Sequence, residues 1–401
     1  MERIIFHIDV NNAFLSWTAI DLLNNGYNYD IRNSYAVIGG DPKARKGIVL
    51  AKSTPCKKLG IYTSMTLYEA SLKCRNLKVF PPNYKFYSYM SNELFKLLSK
   101  YTPDIEVASI DECYLDYGKV KGLYGDEYEF AKKIQKEIYD TLKFTVNIGI
   151  ANNKLCAKMA SDFSKPNKIH TLYNHEIETK MYPLPISDLF LVGKKTSEKL
   201  INLGINTIGD LANSNYESLY KYFKNQTNKI INSAKGIDDS IVVSKKSESE
   251  CISNSTTTSY NLNTLEDIYK YLYPLVENVS ISLRKQNKYA SLIGVTLKDK
   301  YFKTYSHQRK LKNPTSNTEE IYKVAKELTK ELWNEEGIRL VGVYLSKFSN
   351  NLTHQISMFE DVKIVEKNNE LDKVLDKLKE TYGSNIIKKA SQINVDYKNH
   401  M

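Results

Sequence analysis

Glu106-Val107-Ala108-Ser109-Ile110-Asp111-Glu112-Cys113-Tyr114-Leu115-Asp116, residues 106–116, is the stretch on which the reading of the chain turns. Apolar Val107, Ile110 and Leu115 with β-prone Tyr114 predict two short strands, and the adjacent acids Asp111 and Glu112 fall at the turn between them. An isolated Asp-Glu pair at a turn is ordinarily a solvated pair. A second segment changes that reading. Arg3-Ile4-Ile5-Phe6-His7-Ile8-Asp9-Val10-Asn11-Asn12-Ala13-Phe14 is a run of buried-type residues that reaches another carboxylate, Asp9. If these strands lie side by side, three carboxylates from distant parts of the chain converge, and their mutual repulsion is tolerable with divalent metal between them. Oxygen-only ligation favours magnesium or manganese over zinc. Such a constellation suits phosphoryl transfer.

The rest of the chain is long enough, at 401 residues, for roughly two to four domains. Its 57 basic and 46 acidic residues leave a net charge of +11, which points to a polyanionic partner. Cys56, Cys74, Cys113, Cys156 and Cys251 are scattered, with no spacing for zinc, so a reduced, cytoplasmic setting is expected. No apolar run approaches the ~18 residues of a membrane span, and the first residues are too charged for an export signal.

Periodicity organises the flanks. A helix is expected over residues 12–29, strands at 35–40 and 47–51, and a basic, hydroxyl-bearing turn at 52–60 that could hold phosphate. A helix over 87–100, another over 129–142, a strand at 145–150 and a helix opened by Asn152-Asn153-Lys154 rebuild helices on one sheet. Residues 186–211, with Gly193, Lys194 and Lys195 between two predicted helices and "LGINTIGDL" after them, have the pattern of a helix-hairpin-helix, which grips DNA phosphate without reading sequence. A polar segment at 238–255 reads as a linker. Beyond it, strands and helices to residue 347 read as a separate α/β sandwich.

Residues 284–312 carry nine basic residues against one acid, Asp299. Period-2 geometry puts Lys303, Tyr305, His307 and Arg309 on one face, expected to be a track for a phosphate backbone. In the tail, Gln355-Ile356-Ser357-Met358-Phe359 has the form of a peptide ligand whose Met358 and Phe359 fill a partner's pocket. Leu371, Val374, Leu375, Leu378 and Tyr382 form a helical stripe expected to dock.

With Asp9, Asp111-Glu112, Lys165-Pro166-Asn167 and the hairpin in this order, the chain resembles the Y-family of translesion DNA polymerases, of the bacterial DNA polymerase IV type, over roughly residues 3–350. The resemblance implies an α+β multidomain fold. The palm would be residues 1–12 and 82–172, the small fingers 13–81, the helix-hairpin-helix thumb 173–238, a linker 239–250, the α/β little finger 251–350 and the tail 351–401. It implies that Asp9 and Asp111 bridge two magnesium ions, with manganese as an alternative, that the Val10 carbonyl adds a ligand, and that Glu112 stands by the ion activating the primer 3′-hydroxyl. Phe14 matches the steric gate against a ribose 2′-hydroxyl, and Lys165 matches a lysine that meets the incoming triphosphate. Gln355, Met358 and Phe359 match the pentapeptide by which such polymerases bind the sliding clamp. The implied partners are primer-template DNA, dNTPs and the clamp, for a monomeric enzyme.

The fingers depart from the family pattern. Thr54 and Lys57 stand where a tyrosine and an arginine are usual, and lysine keeps the charge without the bidentate fork. Ala13 replaces the gate's usual aromatic neighbour. These departures motivate an alternative, a catalytically weakened DNA- and clamp-binding accessory protein. A nucleotidyl cyclase on a similar palm is disfavoured by the hairpin and the basic sandwich.

Overall fold

The computed structural model describes residues 3–43, 45, 47–245, 248–350, 362–383 and 386–387, and of residues 362–369 the backbone only. The chain divides into two compact units, Met1–Gly40 with Ile48–Lys246 and Asp41–Gly47 with Ser247–Met401.

In the first unit β1 (Ile5–Val10) leads into α1 (Ala13–Asn24), β2 (Ala36–Gly39), β3 (Val49–Lys52), α2 (Thr54–Lys58), α3 (Leu67–Lys73) and β4 (Lys78–Phe80). Then come α4 (Tyr84–Leu98), β5 (Ile105–Val107), β6 (Glu112–Asp116), α5 (Lys121–Tyr124), α6 (Glu127–Leu142), β7 (Val146–Ala151), α7 (Lys154–Asp162) and β8 (Ile169–Leu172). Helix α1 stops short of the expected residue 29, because Gly26 at φ 83° leaves the helical conformation just past its end.

Two sheets result, a small one in the order β3-β2-β4 and a five-stranded one in the order β5-β6-β1-β7-β8. Strand β1 is buried at every position and antiparallel to both neighbours, so its near-continuous apolar run is that of a central strand. Its faces differ. Phe6, Ile8 and Val10 join Leu94 of α4 and Ile134 of α6 in one core, whereas Ile5 joins Ala157 and Met159 of α7 in another. Side chains alternate across a strand, so His7 and Asp9 lie on the α7 side. Gly149 on β7 lets α7 come close: a Cβ there would stand 2.0 Å from the Ala157 carbonyl oxygen.

The unit continues through α8 (Lys194–Asn202), α9 (Ile208–Ala212), α10 (Tyr216–Phe223) and α11 (Thr227–Ala234). The predicted helix ahead of Gly193 is a single 3-10 turn, Ile186–Asp188, and the paired helices are α8 and α9, joined through Gly204 at φ 82°. Residues 241–243, expected in the linker, lie against this unit: Val242 is buried in its core, and the Val243 N–H donates to Glu106 at 2.9 Å.

The second unit runs β9 (Cys251–Leu262), α12 (Leu265–Lys285), β10 (Tyr289–Asp299), β11 (Thr304–Thr315), α13 (Thr318–Leu332), β12 (Ile338–Ser349) and α14 (Val362–Tyr382). Its antiparallel sheet, in the order β11-β10-β12-β9, packs one face on α12 and α13.

Two expectations about this unit are corrected. Tyr305, His307 and Arg309 do share a face, but they pair with buried Leu297, Val295 and Ile293 and so lie on the side covered by helices. There Glu327 and Glu331 of α13 take both arms of Arg309, at 2.5 and 2.6 Å, and Glu331 stands 3.2 Å from His307. The Tyr305 hydroxyl donates to Asp299. Lys303 stays exposed just before the strand. The second correction narrows the stripe of α14, which docks as expected but with only Leu375 and Leu378 of that stripe half-buried, beside ion pairs. Arg284 of α12 bonds Asp376 at 2.6 Å and Asp372 at 3.1 Å, and buried Asp372 also accepts from the Thr318 N–H at the start of α13. Leu371, Val374 and Tyr382 remain exposed, because the inward-facing positions are taken by the residues that Arg284 recruits.

Candidate active site

The carboxylates meet because of strand register. Asp9 and Glu112 are direct partners across β1 and β6, and Asp9 is also paired with Asn147 on β7. Asp111 lies at the bend before β6, held twice: its carbonyl accepts from the Val10 N–H at 3.0 Å, and its Oδ1 accepts from the Ser109 hydroxyl at 2.6 Å. Glu112 is thus the first residue of the strand rather than part of the turn.

Helix α7 and the segment just after it lay two lysines over this group. Lys158, almost wholly buried, sets its Nζ 2.6 Å from Glu112 Oε1 and 3.8 Å from Asp9 Oδ2. Lys165 makes a close ion pair with Asp9 and a second, at 2.9 Å, with Asp162. Burial raises the Asp9 carboxyl above its usual range in spite of Lys165 and Lys158. His7 and Lys158 hold the Glu112 carboxyl down at about 2. His7 is fully buried; its Nδ1 is 2.8 Å from the Ser161 hydroxyl, and its Nε2, 3.6 Å from Glu112, has no hydrogen-bond partner. Burial lowers the basicity of its ring.

Among the described residues no three acid, histidine or cysteine side chains stand gathered as a finished metal cage. The donor chemistry nevertheless fits a hard divalent cation, since the three carboxylates offer oxygen alone. The ammonium groups of Lys158 and Lys165 pair with two of them, Glu112 and Asp9.

Phe14, half-buried, stacks on Tyr87 at 4.7 Å and meets Tyr84 edge-on at 6.1 Å. Tyr87 is fixed in turn by a 2.6 Å bond between its hydroxyl and that of Thr18. Ala13 is buried in the core next to it rather than lining an opening. Thr54 and Lys57 are exposed on α2, whose cap is the buried Ser53. Beside them half-buried Lys52 donates to Thr63, and burial together with the charge of Lys57 makes its ammonium more acidic than usual. Gly193 caps α8, with Lys194 and Lys195 exposed in its first turn. Gln355, Met358 and Phe359 lie outside the described residues.

Sequence reading missed Lys158, His7, Asn11 and Asn147. Lys158 was within reach, because Lys154, Lys158 and Asp162 recur at four-residue spacing on one face of a helix whose neighbour Lys165 had been singled out. The asparagines carry no such signal.

Models of the impB/mucB/samB family match residues 8–162, with the family's C-terminal domain at 249–358 and its HHH motif at 174–205. The chain is similar to DNA polymerase IV of Clostridium acetobutylicum, 46% identical over 99% of this chain and 100% of that protein. It is also similar to DNA polymerase IV of Alkaliphilus oremlandii, 37% identical over 98% and 100%. Among solved structures, a Y-family DNA polymerase chimera superposes with a TM-score of 0.76 at 27% identity, covering 87% of this chain and 100% of the chimera. Register-paired carboxylates under a lysine-bearing helix, a hairpin and a C-terminal sandwich thus come together with full-length likeness, and the chain belongs to the Y-family of translesion DNA polymerases, of the bacterial DNA polymerase IV type.

Proposed function

We propose that the chain adds dNTPs to a primer 3′ end on a DNA template, as a DNA-directed DNA polymerase working past lesions. The observation that carries this is the cross-strand pairing of Asp9 with Glu112, with Asp111 tied by its backbone to Val10. Asp9, Asp111, Glu112 and the Val10 carbonyl would hold two magnesium ions. Bound there, the ions supply Lewis acidity, lowering the pKa of the primer hydroxyl and neutralising the triphosphate.

The chain's own residues do the remaining work. Lys165 pairs with the triphosphate through the ammonium that otherwise serves Asp9, and Thr54 and Lys57 meet its outer oxygens from the fingers. Phe14, wedged against Tyr87 and Tyr84, fills the space that a ribose 2′-hydroxyl needs. The Gly193 amide with Lys194 and Lys195 grips the DNA backbone, as does exposed Lys303. Gln355, Met358 and Phe359 bind the sliding clamp, and alanine at Met358 and Phe359 should weaken clamp pull-down. Residues 1–12 and 82–172 act as palm, 13–81 as fingers, 173–238 as thumb and 251–350 as little finger. The protein works as a monomer, and its free cysteines fit a reducing cytoplasm.

Primer extension with single dNTPs and magnesium tests this reading. Template-directed addition is expected; DNA binding without extension would replace the reading with the accessory protein.

A further inference from the structure

Asn147 stands opposite Asp9 on β7, at zero exposure, where an apolar residue of similar size would fill the same space. Its amide is used completely. Nδ2 donates to the Ser161 carbonyl at 2.9 Å and to the Ser164 carbonyl at 2.6 Å. Oδ1 accepts from Asn11 Nδ2 at 3.0 Å and from the Lys168 N–H at 3.2 Å. Asn11, also buried, uses its own Oδ1 to accept from the Asn167 N–H at 2.8 Å. The two amides therefore tie the chain on both sides of Lys165: at Ser164 before it, and at Asn167 and Lys168 after it. Lys165 is the one residue in this short segment whose side chain reaches Asp9.

We infer that Asn147, supported by Asn11, is a positioning residue for nucleotide binding, holding the Lys165 segment so that the ammonium stands over Asp9 where the triphosphate arrives. The inference rests on the reading of Lys165 as a triphosphate ligand. A lysine on a flexible stem loses much rotamer freedom when it is held to an anion, and a segment fixed in advance removes part of that cost. A buried amide that merely filled space would leave its four hydrogen-bonding positions unused at a penalty. Here three of the four are spent on α7's end and the segment after it, and the fourth on Asn11, which holds Asn167 in turn.

A double-mutant cycle on the full chain separates this from simple packing. Steady-state single-nucleotide addition is measured for Asn147→Leu, Lys165→Ala and the pair, with thermal unfolding and DNA affinity alongside. Asn147→Leu should raise the dNTP KM roughly tenfold with a smaller change in kcat and unchanged DNA affinity. In the Lys165→Ala background the same change should move KM less than about twofold, because the group it positions is gone.

If the two effects multiply in full, or if Asn147→Leu lowers the unfolding temperature and leaves KM alone, the positioning role is wrong while the triphosphate reading of Lys165 stands. If Lys165→Ala itself leaves KM unchanged, that reading fails and takes the positioning role with it. Should Asn147→Leu not fold, Asn11→Ala, which frees the Asn167 N–H, carries the same cycle with the same criteria.

Discussion

In the first unit Lys158 and Lys165 reach Asp9 and Glu112, carboxylates fixed on neighbouring strands. In the second, Glu327 and Glu331 of α13 reach Arg309, a cation fixed on β11. Both are ion-pair clusters against a sheet, but their settings differ. The side chains of Asp9 and Lys158 are 7% and 11% exposed, whereas those of the Arg309 pairs are 36–49% exposed. Exposed pairs contribute about 0–1 kcal/mol each and exchange readily with water. A carboxylate group drawn together in the interior keeps a strong demand for positive charge. On the proposed reading the first cluster receives cations; the second pairs its own charges and leaves little for a phosphate backbone.

The largest expected effect tests the first half of that contrast. Asp111→Asn keeps the bond from Ser109 but removes a charge, and should cut synthesis by roughly a thousandfold while DNA binding is retained, as read by primer extension and gel shift. Near-native turnover would take Asp111 out of the site. Next, Phe14→Ala should raise incorporation of ribonucleotides relative to deoxyribonucleotides by roughly tenfold or more, since only the ring's bulk is lost; an unchanged ratio would leave Phe14 a core residue and no gate.

The second half of the contrast is tested on β11. Arg309→Ala should leave the salt dependence of DNA binding unchanged, whereas alanine at exposed Lys310 and Lys312 should lower the log–log slope by about one each. A flatter slope for Arg309→Ala would restore the track that strand periodicity suggested.

The smallest effect is in pH dependence. The Glu112 carboxyl, lowered from 4.5 to about 2, gives stability that is fully present above about pH 4.5 and is lost as pH falls toward 2. The unfolding temperatures of the protein and its Glu112→Gln variant should therefore converge over that interval. A constant difference down to pH 2 would show that Lys158 and His7 do not hold the charge.

Much of the site was legible because its parts are local. The apolar run into Asp9, the acids before Tyr114 and the Gly193 turn each declare themselves over a few residues through strand period and turn chemistry. Errors arose where a second element decides. Period 2 correctly grouped Tyr305, His307 and Arg309, but no local pattern says which face a helix covers. The stripe of Leu371, Val374, Leu375, Leu378 and Tyr382 obeyed helical spacing, yet with Arg284 holding Asp372 and Asp376 only Leu375 and Leu378 are half-buried.

The sequence by itself determined the carboxylates, their oxygen-only chemistry, the order of the strands that carry them and the family they belong to, because these follow from residue type and short spacing. Only the tertiary structure decided that Asp9 faces Glu112 and Asn147 in register and that a glycine-permitted approach of α7 brings Lys158 over them. It also decided that Asn11 and Asn147 fasten the Lys165 segment. The pairings of Asp9 with Glu112 and Asn147, and of Asn11 with Asn147, join residues more than a hundred positions apart, and packing across the sheet, rather than any local preference, selects them.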